Sequence, residues 1–308
     1  MSLTTFIRAP EVAAQMRPLV PCASRVIPEP LRVPPRTTHF SVVGTAFDYL
    51  LRFEIQRRAP HASPRRWVAD LAVEHLDKGR PLRILKEWQT AINEKYKCNG
   101  MTGKFPDLGQ RARTALERAK QVVSNFVAKK KVSRRNYHDV ARQALRLAQL
   151  DPFFRAGYLD LRFDDDPDPN DVQDLLAMLG IVPFKLLVHE DVVLLNPTFG
   201  SSGALVGGAD ADLITGSSII DVKVRKAGTW GPRDFMQLIG YLILGRQERR
   251  ARRPFPRLDC IGIYFARHGY LWTHDVRVML RTKKFREIED WFLKRARRGY
   301  IIYKRKGP

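Results

Sequence analysis

Apolar residues recur three or four positions apart over residues 42–58 (VVGTAFDYLLRFEIQRR), the spacing of one face of a helix. The same period returns over roughly 65–78, 81–97, 107–130 and 135–150, most clearly in LKEWQTAINEKY and ALERAKQVVSNFV. An acidic, proline-bearing break, Asp164-Asp165-Asp166-Pro167-Asp168-Pro169, ends this run. Asn170 or Asp171 is placed to cap a short helix that stops at Gly180. Beyond it the pattern changes, and 184–197, 204–214 and 217–224 read as strands. An apolar helix over 234–245, a hairpin over 258–276 and a basic helix over 284–298 follow. Before residue 41, Pro28, Pro30, Pro34 and Pro35 predict an extended arm rather than a helix.

This pattern divides the chain into a proline-rich arm (1–40), a mainly helical, basic region (41–180) and a mixed α/β core (181–308). The first helix, 41–58, is expected to pack on the later sheet. The fold class is therefore α/β: a central mixed sheet flanked by helices, preceded by a basic helical region.

Composition changes the picture through charge. With 44% hydrophobic and 28% charged residues the chain has a globular balance, yet 54 Lys and Arg stand against 32 Asp and Glu, a net +22. Such a surplus draws polyanions, and nucleic acid is the partner it points to. The scattered Cys22, Cys98 and Cys260 suit neither a zinc site nor a disulfide framework, and a four-thiolate iron–sulfur cluster would need one more. No apolar run approaches the roughly 20 residues of a membrane helix, and MSLTTFIRAPEV lacks the marks of a secretory signal. A cytoplasmic protein without a membrane partner is expected. The seven histidines show no metal-ligand spacing; His189-Glu190 reads best as a strand-end turn.

The candidate chemistry lies in GGADADLITGSSIIDVKV. Gly216-Ser217 suits a type II′ hairpin turn, which pairs Thr215 with Ser218. Continuing that register sets Asp212 opposite Asp221 and Asp210 opposite Lys223, all on one face. Leu213, Ile220, Val222 and Val224 fall on the other face, toward the core. Two carboxylates directly opposite on a sheet repel each other, and a cation between them removes the conflict. Open carboxylate oxygens suit Mg²⁺ or Mn²⁺ better than zinc. Lys223 points the same way as Asp221 and could hold a phosphate or polarise an attacking water. Downstream, Gln237 and Tyr241 stand four apart and share a helix face.

Asp212, Asp221-Val222-Lys223 and Gln237-Leu-Ile-Gly-Tyr241, in this order and spacing, resemble the PD-(D/E)XK nuclease superfamily, and within it the RecB-like branch. The resemblance covers residues 181–250 and, less closely, 41–58. It implies a PD-(D/E)XK-type core in which Asp212, Asp221 and the Val222 carbonyl hold Mg²⁺, with Mn²⁺ able to substitute. Asp210 is a further metal candidate beside them. Lys223 would orient or help deprotonate a water, and Gln237 and Tyr241 would position the site. Relatives carry Gly-x-x-x-His on an early helix; here Gly44-Thr-Ala-Phe-Asp48 places an aspartate there, so the upstream ligand is Asp48 or Glu54.

The expectation is a Mg²⁺-dependent deoxyribonuclease serving repair, recombination or mobile-element processes, with RNA as the alternative substrate. A non-catalytic or partner-activated nucleic-acid binder is the rival. Arg225 and Lys226 after the motif strand, and Arg246, Arg249 and Arg250 after the Gln-Tyr helix, would contact phosphates. Trp230, Trp272 and Tyr270 could stack on bases, although core packing suits each better. No phosphate-loop or helicase motif is visible, so any motor would be a separate protein.

Overall fold

Five strands form a mixed sheet in the order β1-β2-β3-β4-β5, made by β1 (Val193–Leu195), β2 (Leu213–Thr215), β3 (Ser218–Lys223), β4 (Cys260–Phe265) and β5 (Tyr270–Asp275). The computed structural model describes residues 2–21, 26–78, 108–158 and 160–306, with side chains described as far as residue 300. The helix expected over 81–97 lies outside the described residues. The chain divides into two units: 1–32, 59–65 and 182–308 form the sheet unit, and 33–58 and 66–181 the helical unit. No helix among the described residues is long and apolar enough to cross a membrane.

The neighbours β1–β2, β2–β3 and β4–β5 are antiparallel, whereas β3 and β4 run parallel. A parallel pair needs a crossover, here the helix α10 (Pro232–Arg250), which packs on both strands. Pro232 starts α10 at a position where its missing N–H costs nothing. Apolar residues surround α10, because it lies between the sheet and the N-terminal segment. Its Leu238, Leu242, Ile243 and Leu244 are fully buried, each contributing roughly 1.5–3 kcal/mol. Gly240 admits this close packing: a Cβ there would stand 2.8 Å from Leu3 Cδ1.

The N-terminal segment corrects the expectation of an extended arm. Residues Leu3–Phe6 (α1) and Pro10–Met16 (α2) are helical, and Leu3, Phe6, Ile7, Val12 and Met16 join the main core. The prolines from Pro28 onward do exclude helix, but Pro10 opens one, at its first position. Residues 26–32 contain no helix, with Ile27 N donating to the Gly228 carbonyl and Arg32 N to that of Arg267.

Two expected strands are shorter than predicted. Residues Phe184–Leu187 form a single helical turn (α8), and only Val193–Leu195 of 184–197 pairs. In 204–214 only the end is strand, following the turn α9 (Gly200–Ala204). Gly207 and Gly208 adopt φ of 81° and 120°, which breaks extended geometry before Asp210. The C-terminal part is Arg277–Arg281 (α11) and Lys283–Lys306 (α12), whose Phe285, Ile288 and Phe292 enter the core.

The helical unit contains α3 (Phe40–Arg58), α4 (Val68–Asp77), α5 (Leu108–Val127), α6 (Arg134–Ala156) and α7 (Pro169–Gly180). Helix α5 buries Leu108, Ala112, Leu116, Ala119, Val123 and Phe126, a single stripe at helical spacing. Ser133 caps α6 and Gly157, at φ 75°, ends it. Helix α3 belongs to this unit and packs against α6 and α7. Its periodicity defines an apolar face but not the partner of that face. The cap of α7 is Asp168, whose carboxylate accepts from Asn170 N, two residues ahead of the Asn170–Asp171 expectation.

Candidate active site

The β2–β3 turn sets the site. Gly216 has φ 54° while Ser217 is not among the positive-φ residues, the signature of glycine leading a II′ turn. The pairs Thr215–Ser218, Ile214–Ile219 and Leu213–Ile220 follow the predicted register, and its next step is Asp212 with Asp221. The ladder stops there. Asp212 Oδ2 instead accepts the Val222 N–H at 2.6 Å, which fixes the carboxylate at the end of β2 beside β3.

Strand alternation places Ile219, Asp221 and Lys223 on one face of β3. That face is not solvent-directed. Ile214, Ile219, Ile261 and Ile263 build the main core with α10, so the acidic face is the one beneath the helix. Leu213 and Ile220 are buried on the opposite face, so β3 is covered on both sides.

Helix α10 aims Gln237 and Tyr241 at this face. The Gln237 Nε2 group donates to Asp221 Oδ1 at 3.1 Å and to the Tyr241 hydroxyl at 2.9 Å. That hydroxyl in turn donates to the Asp210 carbonyl at 2.7 Å. One chain of hydrogen bonds thus ties the loop before β2, the helix and β3 together. Lys223 Nζ stands 2.7 Å from Asp221 Oδ2 and 3.8 Å from Asp234 Oδ1. Asp234 also pairs with Arg225 at 2.9 Å and caps α10 through Gly231 N.

Burial pushes the Asp221 carboxyl above its ordinary range, against the opposing pull of the Lys223 ammonium. Burial would lower the Lys223 pKa, but Asp221, Asp212 and Asp234 together outweigh it and raise it. Tyr241 is raised well above its usual value, first by burial and then by Asp221 and Asp212, so its hydroxyl remains a donor. Asp221 Oδ2 is buried, and its partner is the Lys223 ammonium at 2.7 Å. Asp221, paired with Lys223, and Asp212, held at the Val222 N–H, put two carboxylates on adjacent strand ends, oxygen donors of the kind that suits a hard cation.

Other expected residues are placed differently. Asp210 bridges Thr198 rather than Lys223, because the chain turns at Gly207-Gly208; its carbonyl is tied into the hydrogen-bond chain. Asp48 lies in the helical unit and pairs with Arg52 at 2.6 Å. Glu54, in the same unit, is fully buried and holds Arg57 and Arg58, each at 2.7 Å. Arg246 and Arg250 both pair at 2.8 Å with the buried Glu289, so they brace α10 against α12. Arg249 is exposed beside them. Arg225 is held by Asp234, and the Lys226 carbonyl accepts from His268 Nε2. Trp230 is a core residue packed on Phe235 and Trp272, which leaves no face for a base.

Three exposed arginines near the site, Arg8, Arg17 and Arg233, were not singled out by the sequence pattern. Arg8 and Arg17 are remote in sequence, and no local signal marks them. In the helical unit His39, Asp168 and Asp171 bring ligand atoms within 4.8 Å of one another. Local partners account for this group: Asp168 caps α7, and Asp171 accepts from Thr37 Oγ1 at 2.5 Å and pairs with His39 Nδ1 at 2.8 Å. Comparison with protein-family models, with curated proteins and with solved structures yields no match, so the chemistry is read from these residues and their geometry alone.

Proposed function

We propose that this protein is a metal-dependent nuclease that hydrolyses phosphodiester bonds of DNA. The observation that supports it most is the convergence of Asp212, Asp221, Lys223, Gln237 and Tyr241 where β2, β3 and α10 meet, with Asp221 buried and oriented by Gln237. These are also the residues whose order resembles the PD-(D/E)XK superfamily. The net charge of +22 supports a polyanionic substrate.

Asp212, Asp221 and the Val222 carbonyl would hold Mg²⁺, with Mn²⁺ as a substitute. The chemistry such a cation supplies is an acidified bound water and charge to offset the phosphate. The protein's own groups do the positioning. Gln237 holds Asp221 Oδ1, which leaves Oδ2 directed toward Lys223. The Lys223 ammonium, kept charged by its carboxylate neighbours, donates to the attacking water or to a non-bridging phosphate oxygen. Tyr241 locks the Gln237 amide, and with it the carboxylate orientation.

The test is cleavage of labelled single- and double-stranded DNA, linear and circular, with Mg²⁺, Mn²⁺ or EDTA. Wild type is expected to cut only with metal, and Asp221→Asn and Lys223→Ala to lose about 10²-fold or more. Lys223→Ala retaining full metal-dependent cleavage would refute the assigned mechanism. Tight binding without cutting in any metal would favour a partner-activated or non-catalytic binder.

A further inference from the structure

Lys223 and Gln237 are not only site residues; they also form part of the wall of a cavity of about 560 Å³. The rest of the wall comes from α1, α2 and the residues that flank them, from Arg225 just after β3 and from the start of α10. Five cationic side chains, Arg8, Arg17, Lys223, Arg225 and Arg233, line it together with a single carboxylate, Asp234. That carboxylate is engaged by Arg225 and by the cap of α10, and Lys223 is engaged by Asp221. Arg8, Arg17 and Arg233 are exposed and have no carboxylate partner among the described residues.

Such an arrangement is unfavourable while empty of anions. Like charges gathered about a concavity repel each other. Arg233 also sits in the first turn of α10, where the helix dipole disfavours a cation and favours an anion. A phosphate group relieves both conflicts at once. The cavity has the size of a ligand pocket, with room for on the order of one or two nucleotides. Among the described residues its lining holds no aromatic ring, so it offers no platform for stacking a base.

We propose that this cavity seats backbone phosphates of a nucleic-acid strand next to the bond being cut, gripped by Arg8, Arg17 and Arg233 without reading the bases. The N-terminal helices, which the sequence presented as an arm, are then one wall of the substrate channel. The position relative to the cut bond rests on the nuclease reading; the recognition of phosphate does not.

The test measures binding of the full chain to mixed-sequence single-stranded DNA, duplex DNA and RNA in EDTA across a salt series, and cleavage separately with Mg²⁺. The variant is Arg8→Gln/Arg17→Gln/Arg233→Gln. A control of equal charge change is Lys283→Gln/Lys284→Gln/Arg286→Gln, at the exposed start of α12. Each lost phosphate contact lowers the slope of log affinity against log salt by about 0.7–0.9. The triple variant is expected to lose about 2–3 from that slope and roughly 10–100-fold in affinity near 100 mM salt, with KM rising more than kcat falls. The loss should be equal across base sequences, and appear with DNA and RNA alike if only phosphate is read. An unchanged slope in the triple variant, or an equal loss in the control, overturns the proposal and leaves the nuclease reading intact. The slope loss without any cleavage by wild type supports the phosphate site and removes the nuclease. No binding to any nucleic acid removes both. Should the triple variant melt early, the three single substitutions, each expected to cost close to one unit of slope, decide the matter in its place.

Discussion

Both units of this protein bury aspartates, and two of them, Asp151 and Asp221, are handled in different ways. In the helical unit Asp151 is 5% exposed at its side chain and accepts a 2.6 Å hydrogen bond from the Tyr49 hydroxyl, which itself accepts from Ala69 N. Burial pushes its carboxyl up to about 6. In the sheet unit Asp221 is as deeply buried, but its cation is closer, the Lys223 ammonium at 2.7 Å against the Arg155 guanidinium at 3.7 Å from Asp151, and a glutamine orients it. Burial of an acid is therefore not what marks a site. The mark is an acid oriented by a polar side chain and paired with a lysine, with a second carboxylate at the neighbouring strand end.

The largest expected effect breaks this comparison on the sheet side. Added Mg²⁺ at roughly a hundred times its Kd should stabilise wild type by about 2.7 kcal/mol, a shift of several degrees in a melting experiment. Asp221→Asn should abolish the shift along with cleavage, whereas Asp151→Asn should preserve both. A Mg²⁺ shift that survives Asp221→Asn would place the ion elsewhere.

The next effect belongs to Asp151. Its folded pKa of about 6 lies above the usual 3.8, so between those values the native state keeps a proton that the unfolded chain has released. Stability should fall as pH rises from about 4 to about 6, by up to about 3 kcal/mol, and stay low above that. Urea melts across this range would show the slope in wild type and its loss in Asp151→Asn. A wild-type slope of the opposite sign would contradict the buried neutral acid.

Tyr241→Phe is expected to cost about 1–3 kcal/mol, since it strips the buried partner of the Asp210 carbonyl and of the Gln237 amide. Cleavage should fall with it, by less than in Lys223→Ala, because the substitution loosens Gln237 but removes no group from the cation or phosphate. The smallest effect tests the other carboxylate cluster. Asp168→Ala should cost about 1 kcal/mol as a lost helix cap and leave the Mg²⁺ shift unchanged. A Mg²⁺ shift abolished by this substitution would assign the ion to His39, Asp168 and Asp171 instead.

Much of the site was legible in the chain because its logic is local. A glycine-led two-residue turn and strict alternation set the β2–β3 register, and a spacing of four puts Gln237 and Tyr241 on one helix face. Where the chain departs locally from the simple pattern, the reading failed: two consecutive positive-φ glycines carry Asp210 out of the ladder.

What the sequence determined by itself is which faces are apolar, where turns occur and which side chains point together within one element. The tertiary structure alone decided that α3 joins the helical unit, that Arg246 and Arg250 are consumed by Glu289, and that α1 and α2 bring Arg8 and Arg17 beside Lys223. The physical reason is that periodicity follows from backbone geometry within a few residues. Hydrophobic burial has no direction of its own, so an apolar face accepts whichever partner the whole chain can pack against it.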